Sequence, residues 1–183
     1  MFYTCNGLIV TCGLFYEGYF WMKRISLTQG KFSIVDDRDY IWISKFKWCA
    51  VNKKGLFYAE RRKLNRLIGK KEVLYMHRVI MGLKRGDGKQ VDHINGNGID
   101  NRRENMRACS PIQNRYNARP RKNCKSKHRG ISWSKCANKW QAKIQINKKT
   151  IYLGIHNDAI DAAKAYNDAA IIHFGQYARL NDV

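Results

Sequence analysis

The stretch Val91-Asp92-His93-Ile94-Asn95-Gly96-Asn97 begins the part of the sequence that decides the fold. Residues 100–107 follow it with further polar side chains and three arginines, and Asn114 comes shortly after. Asp and Asn side chains supply the hard oxygens that a divalent cation prefers. A histidine can take a proton from water near neutral pH. The stretch therefore points to a site for one metal ion and one phosphodiester.

The spacing of these residues predicts two short strands joined by a loop. Residues 91–94 predict the first strand, in which Asp92 and His93 point to opposite faces unless a bulge or the strand end turns them together. Residues 95–98 are typical of a turn, because Asn and Gly tolerate positive φ. Residues 105–109 predict the returning strand.

A helix is predicted directly after the second strand. Ser110 is an N-cap residue, Pro111 suits the first helical position, and Gln113 stands at the capping-box position. Asn114 then lies in the first turn and points back toward the strands. The predicted unit is strand, loop, strand, helix.

This pattern resembles that of the HNH endonucleases, whose ββα-metal (His-Me finger) module has the same order of strand, loop, strand and helix. Residues 25–31, 35–37 and 76–82 resemble the N-terminal part of phage and intron-borne members. The resemblance implies the following roles: metal ligands Asp92 and Asn114, general base His93, and Asn105, whose amide orients the histidine and braces the loop.

The same resemblance implies one divalent ion, Mg²⁺, with Mn²⁺ as the second candidate. Asn114 stands where the family often has a second His, and a neutral amide binds a metal more weakly than a charged ligand. Arg102, Arg103 and Arg107 are candidate phosphate clamps, or solvated loop arginines. The six cysteines form no CxxC pair and no Cys/His cluster, so we expect no structural zinc.

Composition favours a nucleic-acid partner. The 183 residues carry a formal net charge of +21, with a pI near 10.0, which points to a polyanion. On charge alone, a basic structural protein such as a ribosomal one is the alternative. Nothing indicates a disulfide framework, so we expect a reducing cytosol, that of a bacterium carrying a phage or mobile element.

The pattern before the central stretch predicts several small elements. Residues 25–35 predict a hairpin that turns at Gln29-Gly30, and Asp36 or Asp37 is expected to cap a short helix. Residues 48–51 and 56–60 alternate like paired strands. The basic run that follows, Arg61 to Arg66, is either a solvated face or a phosphate-contacting one. His77 is expected to be a packing or DNA-facing residue rather than a catalytic one.

We divide the chain into four parts. Residues 1–21 are an N-terminal extension of unknown role, too short and broken for a membrane span. Residues 22–117 are the HNH endonuclease domain, and residues 118–127 are a basic linker that lies along DNA through Arg121 and Lys122. Residues 128–183 are a second module.

Three alternating segments and one helix are predicted in the second module. Residues 129–133, 139–146 and 150–155 suit a three-stranded antiparallel sheet, and Asn157 or Asp158 caps an alanine-rich helix that packs closely on it. The module resembles the AP2 DNA-binding domain through these residues: Arg129-Gly130, Trp140, Ala142-Lys143-Ile144, Tyr152-Leu153-Gly154, Ala162 to Ala170, Gly175 and Asn181.

In the AP2 family the sheet lies in the major groove. By position, the residues that would face DNA are Arg129, Trp133, Lys135, Lys143, Gln145 and Tyr152. Trp140 is expected to be a core aromatic instead. The target sequence cannot be transferred, because Ser132, Gln145 and Thr150 replace several of the family's arginines.

The sequence as a whole predicts an α+β protein, with a ββα-metal nuclease module and an AP2-like sheet with one packed helix. The expected function is a metal-dependent, site-preferring, homing-type endonuclease for double-stranded DNA. We expect no membrane and no obligatory protein partner, and a monomer, or a dimer for double-strand cutting. The alternatives are a non-catalytic sequence-specific DNA-binding regulator that uses the sheet, and a nuclease with little sequence preference.

Overall fold

The computed structural model describes residues 22–66, 69–118 and 126–183, with two short strands before them. Those two strands, β1 (Thr4–Cys5) and β2 (Leu8–Ile9), pair antiparallel. The rest of the predicted extension, and Arg121 and Lys122 of the predicted linker, lie outside the described residues.

The predicted first hairpin is confirmed. β3 (Met22–Ser26) pairs antiparallel with β4 (Phe32–Asp36). Gln29 and Gly30 have φ values of 61° and 63°, in the left-handed region that turn residues tolerate. Helix α1 (Asp37–Ile43) follows, with Asp36 at its N-cap. The Asp36 side chain makes no capping bond, because its carboxylate accepts the backbone N–H of Arg103 instead.

The second sheet is larger than the sequence predicts. β5 (Cys49–Lys53) and β6 (Leu56–Asn65) pair as expected, but β6 continues through the basic run and pairs with β7 (Lys70–Tyr75). For the basic run the sequence predicts only a solvated or a phosphate-contacting face. Arg62 and Lys63 are exposed, so the alternation of apolar and polar residues that marks a half-buried strand is missing. The short helix α2 (Met76–Ile80) follows β7 directly.

The predicted strand, loop, strand, helix order is present. β8 (Gln90–His93) pairs antiparallel with β9 (Met106–Cys109) and is followed by α3 (Pro111–Tyr116), which packs on both strands. The capping box forms as predicted. The Ser110 hydroxyl accepts from Gln113 N, and the Gln113 side chain accepts from Ser110 N.

The second module has a three-stranded antiparallel sheet and one long helix. Its sheet order is β10 (Ile131–Ser134), β11 (Lys139–Ile146) and β12 (Lys149–His156), and α4 (Ala159–Phe174) packs on it. Close packing depends on small residues. A Cβ at Gly130 would lie 2.1 Å from the ring of Tyr166, so a side chain there would collide with the helix.

Two hydrophobic cores support these elements. The first lies among the sheets before α3 and includes Val35, Ile43 and Met76. The second lies between α4 and its sheet, where Trp140 is only partly buried. The described structure is thus a mixed α/β protein with several small antiparallel sheets and few helices. No described helix is long and apolar enough to cross a membrane.

Candidate active site

Asp92 is a buried carboxylate whose two oxygens both have protein partners. It is 5% exposed on β8, directly across the ladder from Arg107. Its Oδ2 accepts from Arg107 Nε at 2.8 Å and from a terminal guanidinium nitrogen at 2.6 Å. Its Oδ1 accepts from Asn117 Nδ2 at 2.9 Å. A carboxylate oxygen has two lone pairs, so Oδ2 is fully used by the two guanidinium bonds, and Oδ1 retains capacity for one more ligand.

His93 is buried and held from one side by a carboxamide. Its Nε2 lies 3.1 Å from Asn101 Oδ1, and Asn101 Nδ2 donates to Ser33 Oγ at 2.7 Å. Because the amide nitrogen of Asn101 is used on Ser33, the amide oxygen faces the imidazole. The imidazole must then donate from Nε2, which leaves Nδ1 with the lone pair.

Burial lowers the pKa of His93 below its usual value, although the Asn101 hydrogen bond and the carboxylates of Asp92 and Asp100 act in the opposite direction. The charged imidazolium is disfavoured because the ring is removed from water. His93 is therefore predominantly neutral at neutral pH, the state that a general base requires.

Aromatic rings surround the His93 imidazole on its other sides. The His77 ring meets it edge to face at 5.2 Å between centroids, and the Tyr58 ring lies 6.1 Å away. The Tyr75 ring stacks on His77 at 5.4 Å. These contacts leave His93 little freedom to rotate.

His77 is a packing residue in this cluster, one of the two roles that the sequence left open. It is 9% exposed, and its Nδ1 has no hydrogen-bond partner among the described residues. Burial lowers the pKa of His77 to about 3, with smaller contributions from the charges of His93, Arg78 and Lys53.

Asn105 braces the loop between the two strands. Its Oδ1 accepts the backbone N–H of Asn95 at 3.0 Å, and its Nδ2 donates to the carbonyl of Asp100 at 2.8 Å. The carboxamide that contacts the His93 ring is that of Asn101, which the sequence reasoning missed. The only signal was that Asn101 is one of several Asn residues in the same polar loop.

Asn114 and Asp92 do not meet in the structure. Asn114 points back to β8, where its Nδ2 donates to Gln90 Oε1 at 2.7 Å. The α3 carboxamide beside Asp92 is that of Asn117, which also donates to the carbonyl of His93 at 3.0 Å. Asn117 follows Asn114 by three residues, so it lies on the same side of the helix. That spacing could have suggested it.

The three arginines predicted as phosphate clamps all bind carboxylates. Arg107 is paired with Asp92, as described above. The other two form two-point ion pairs: Arg102 with Asp100, at 2.8 Å for both bonds, and Arg103 with Asp39, at 2.7 and 2.8 Å. Arg103 and Arg107 join segments that are distant in sequence, and Arg102 pairs within the loop itself, so in this conformation all three stabilise the site's framework.

The predicted DNA-facing residues of the second module mostly lie at the surface. Trp133 and Tyr152 are 46% and 52% exposed, and three polar residues are exposed as well: Lys135, Lys143 and Gln145. Arg129 differs. Its guanidinium donates to the carbonyls of Ala118 and Arg115, at the C-terminal end of α3.

The side chains around Asp92 decide whether a metal ion could bind there. Among the described residues, no three His, Cys, Asp or Glu side chains cluster in a way that could hold a metal ion. The groups beside Asp92 are carboxamides, whose oxygens are among the hard ligands that Mg²⁺ accepts. Asn117 turns its Nδ2 toward the carboxylate, so its amide would have to turn over to offer an oxygen to the ion. Asp92 Oδ1 with that oxygen fits a weakly held magnesium ion that takes its remaining ligands from water and substrate.

Comparison with known proteins agrees with this geometry. The HNH endonuclease family model matches residues 74–116. A curated relative, Protein 3.8 of Escherichia phage T7, is 29% identical over 92 residues, which are 50% of this chain and 75% of the phage protein.

A second similarity concerns plant proteins. APETALA2-like protein 2 of Oryza sativa, in both subsp. indica and subsp. japonica, is 41% identical over 58 residues. This stretch is 31% of the chain and only 13% of the rice proteins. The match to the HNH family model at residues 74–116 and the weak similarity to AP2 proteins agree with the two resemblances seen in the sequence, while the bounds predicted for the two modules stay predictions.

Proposed function

We propose that the protein is a metal-dependent, site-preferring endonuclease that hydrolyses phosphodiester bonds in duplex DNA. β8, β9 and α3 form its ββα-metal module. The observation that carries this proposal is the state of His93: a buried neutral imidazole, tied through Nε2 to Asn101 and left with a basic Nδ1. The HNH match supports nuclease activity on DNA in general.

His93 acts as the general base in this proposal. Its Nδ1 accepts a proton from the attacking water, and the Asn101 carboxamide stabilises the resulting imidazolium through Nε2–H. The ring cluster with His77 and Tyr58 fixes the imidazole plane. A general base that is positioned in this way contributes roughly 10²–10⁴-fold to the rate.

Asp92 and a carboxamide of α3 hold the metal ion. The resemblance assigns that carboxamide to Asn114, while Asn117 is the one beside Asp92. When bound, a divalent ion supplies a positive charge that stabilises the developing negative charge on the phosphate. Arg107 occupies Asp92 Oδ2, so Oδ1 is the oxygen of Asp92 that would be available to the ion.

The second module directs the enzyme to its sites. The exposed Lys143 and Gln145 on β11 can donate to base edges, and the exposed rings of Trp133 and Tyr152 can contact sugars or thymine methyl groups. We propose a homing-type enzyme of a phage or mobile element, active in the cytosol of its bacterial host. One metal site per chain gives a nick from a monomer, and cutting both strands requires a dimer or a second event.

The test is nicking of supercoiled plasmid with Mg²⁺ or Mn²⁺, with and without chelator. The wild type should nick only with metal, and His93→Ala should lose at least about a hundredfold in rate. His173→Ala, at an exposed position near the end of α4, is the matched control and should nick normally. Equal nicking by His93→Ala and the wild type would contradict the catalytic assignment.

A non-catalytic DNA-binding regulator is the second candidate. The observation in its favour is that both Asp92 oxygens already have protein partners. In that case the purified protein would bind duplex DNA but would show no metal-dependent nicking of any plasmid, including one that carries its preferred binding site.

A further inference from the structure

A cavity of about 570 Å³ lies between the nuclease site and the second module. On the nuclease side, the wall of the cavity includes Arg107 and Asn117, which both contact Asp92. It also includes Asn95, which lies in the loop after His93. Its opposite wall includes Lys127, Arg129 and Arg179. Access to the Asp92 side of the site is therefore bounded by both modules.

The walls are joined by specific contacts, so the cavity is a built feature of the fold. The Tyr116 ring of α3 stacks on Phe174 of α4, with centroids 3.8 Å apart and planes inclined at 12°. Tyr177 lies under the Arg107 guanidinium at 4.6 Å and donates its hydroxyl to the Ala108 carbonyl at 3.4 Å. Arg107 also donates to the carbonyl of Gln176.

The cavity carries excess positive charge. Arg107 is neutralised by Asp92, but Arg129 contacts backbone carbonyls and the Tyr166 side chain, with no carboxylate partner among the described residues, and keeps its charge. Lys127 and Arg179 have no salt-bridge partner among the described residues. Asp182 is the one carboxylate on the lining. Three cations without a carboxylate partner, beside a site for phosphodiester chemistry, favour an anionic ligand.

The positive surface continues toward the AP2-like sheet. A second cavity, of about 630 Å³, is lined by Arg115 of α3 and by Lys143 and Lys148 of the sheet, and it shares Arg129 with the first cavity. A basic path thus runs from the sheet to Arg107 and Asn117, the two residues that contact Asp92. An extended path of this kind suits the backbone of a polymer better than a small anion.

We propose that the cavity between the modules binds the DNA backbone next to the scissile bond, and that Lys127 and Arg179 contact its phosphates. This rests on the proposed function, since it takes DNA as the substrate. It gives the second module a further role, because one wall of the nuclease cleft belongs to it.

The test measures DNA binding in the presence of chelator, so that it does not depend on cleavage. Lys127→Gln, Arg179→Gln and the double variant are titrated with a short mixed-sequence duplex by fluorescence anisotropy at several salt concentrations. Lys164→Gln is the control. It removes the same charge from α4, where the Lys164 side chain is 61% exposed and its nearest carboxylate, Asp161, is 4.0 Å away.

Each cleft substitution should weaken binding several-fold and reduce the slope of log K against log salt by about one, and the double variant by about two. The control should keep the wild-type slope. Slopes for both cleft variants equal to those of the wild type and the control would overturn the proposal.

Plasmid nicking separates this inference from the proposed function. If the slopes fall as expected but the wild type never nicks, the cleft assignment stands and the enzyme assignment fails. If the wild type nicks while the cleft variants bind like the wild type, the enzyme assignment stands and the cleft assignment fails. In an active enzyme, Arg179→Gln should slow nicking at low DNA concentration and recover most of the rate at saturating DNA.

Discussion

Asp92 and Arg107 face each other across the β8–β9 ladder and form a buried ion pair with two hydrogen bonds, at 2.8 and 2.6 Å. The side chains are 6% and 15% exposed. Arg107 also contacts Gln176 and Tyr177 of the second module. One guanidinium therefore links the proposed metal ligand to both halves of the structure.

Removing Arg107 should destabilise the protein strongly. Arg107→Ala leaves the Asp92 carboxylate buried without its cation, and we expect the free energy of unfolding to fall by about 3 kcal/mol. Urea unfolding followed by circular dichroism measures this. Asp92→Asn combined with Arg107→Gln should lose less, because no charge is left unpaired. Lys164→Ala, in an exposed pair, should stay within about 0.5 kcal/mol of the wild type. A loss for Arg107→Ala as small as that of the control would contradict the prediction.

Asn101 should matter for the rate of nicking more than Asn105 does. Asn101→Ala removes the acceptor for His93 Nε2–H. Because the loss of a hydrogen bond to a buried group costs about 1–3 kcal/mol, the single-turnover rate of nicking should fall roughly tenfold to hundredfold. Asn105→Ala affects the loop but no atom of the imidazole, so at temperatures where both variants are folded its rate should fall less. The opposite order would indicate that Asn105 orients the base.

The metal dependence of nicking separates Asn114 from Asn117. Because Asn117 lies on Asp92 Oδ1, we expect Asn117→Ala to raise the Mn²⁺ concentration for half-maximal rate by about 10–100-fold. Asn114→Ala loses only a contact with Gln90 and should raise this Mn²⁺ concentration less. A larger effect at Asn114 would show that DNA or metal binding turns α3 so that Asn114 replaces Asn117 beside Asp92.

His77 should make the stability depend on pH. Its pKa in the folded protein, about 3, is below the unfolded value of roughly 6.5, so the unfolded chain binds the extra proton. Above pH 6.5, His77 is neutral in both the folded and the unfolded chain and does not affect stability. As the pH falls below 6.5, the free energy of unfolding should decrease by about 1.4 kcal/mol per pH unit because of this one group.

Urea unfolding across this pH range gives the measurement. His77→Phe keeps an aromatic ring but cannot titrate. A plot of its free energy of unfolding against pH should therefore be flatter than that of the wild type by about 1.4 kcal/mol per pH unit. Tyr75→Phe alters the ring stacked on His77 without changing an imidazole and should keep the wild-type slope. Parallel curves for His77→Phe and the wild type would show that His77 is not buried in solution.

The sequence by itself determined the local elements. The capping box of Ser110 and Gln113, the turn at Gln29-Gly30 and the small residues of α4 each depend on a few neighbouring residues, whose conformational preferences act within one turn or one hairpin. The order of β8, β9 and α3 follows from such signals, and the HNH resemblance depends on that order.

Only the tertiary structure decided which side chains meet. Asn101 contacts Ser33 across 68 positions in the sequence, and Asn117 contacts Asp92 across 25. No local sequence pattern predicted the pairing of β6 with β7, because the exposed basic part of β6 lacks the alternation of buried and exposed residues that marks a strand. Contacts of this kind depend on how distant segments pack around a shared core, and a carboxylate takes whichever donor that packing brings within hydrogen-bond distance.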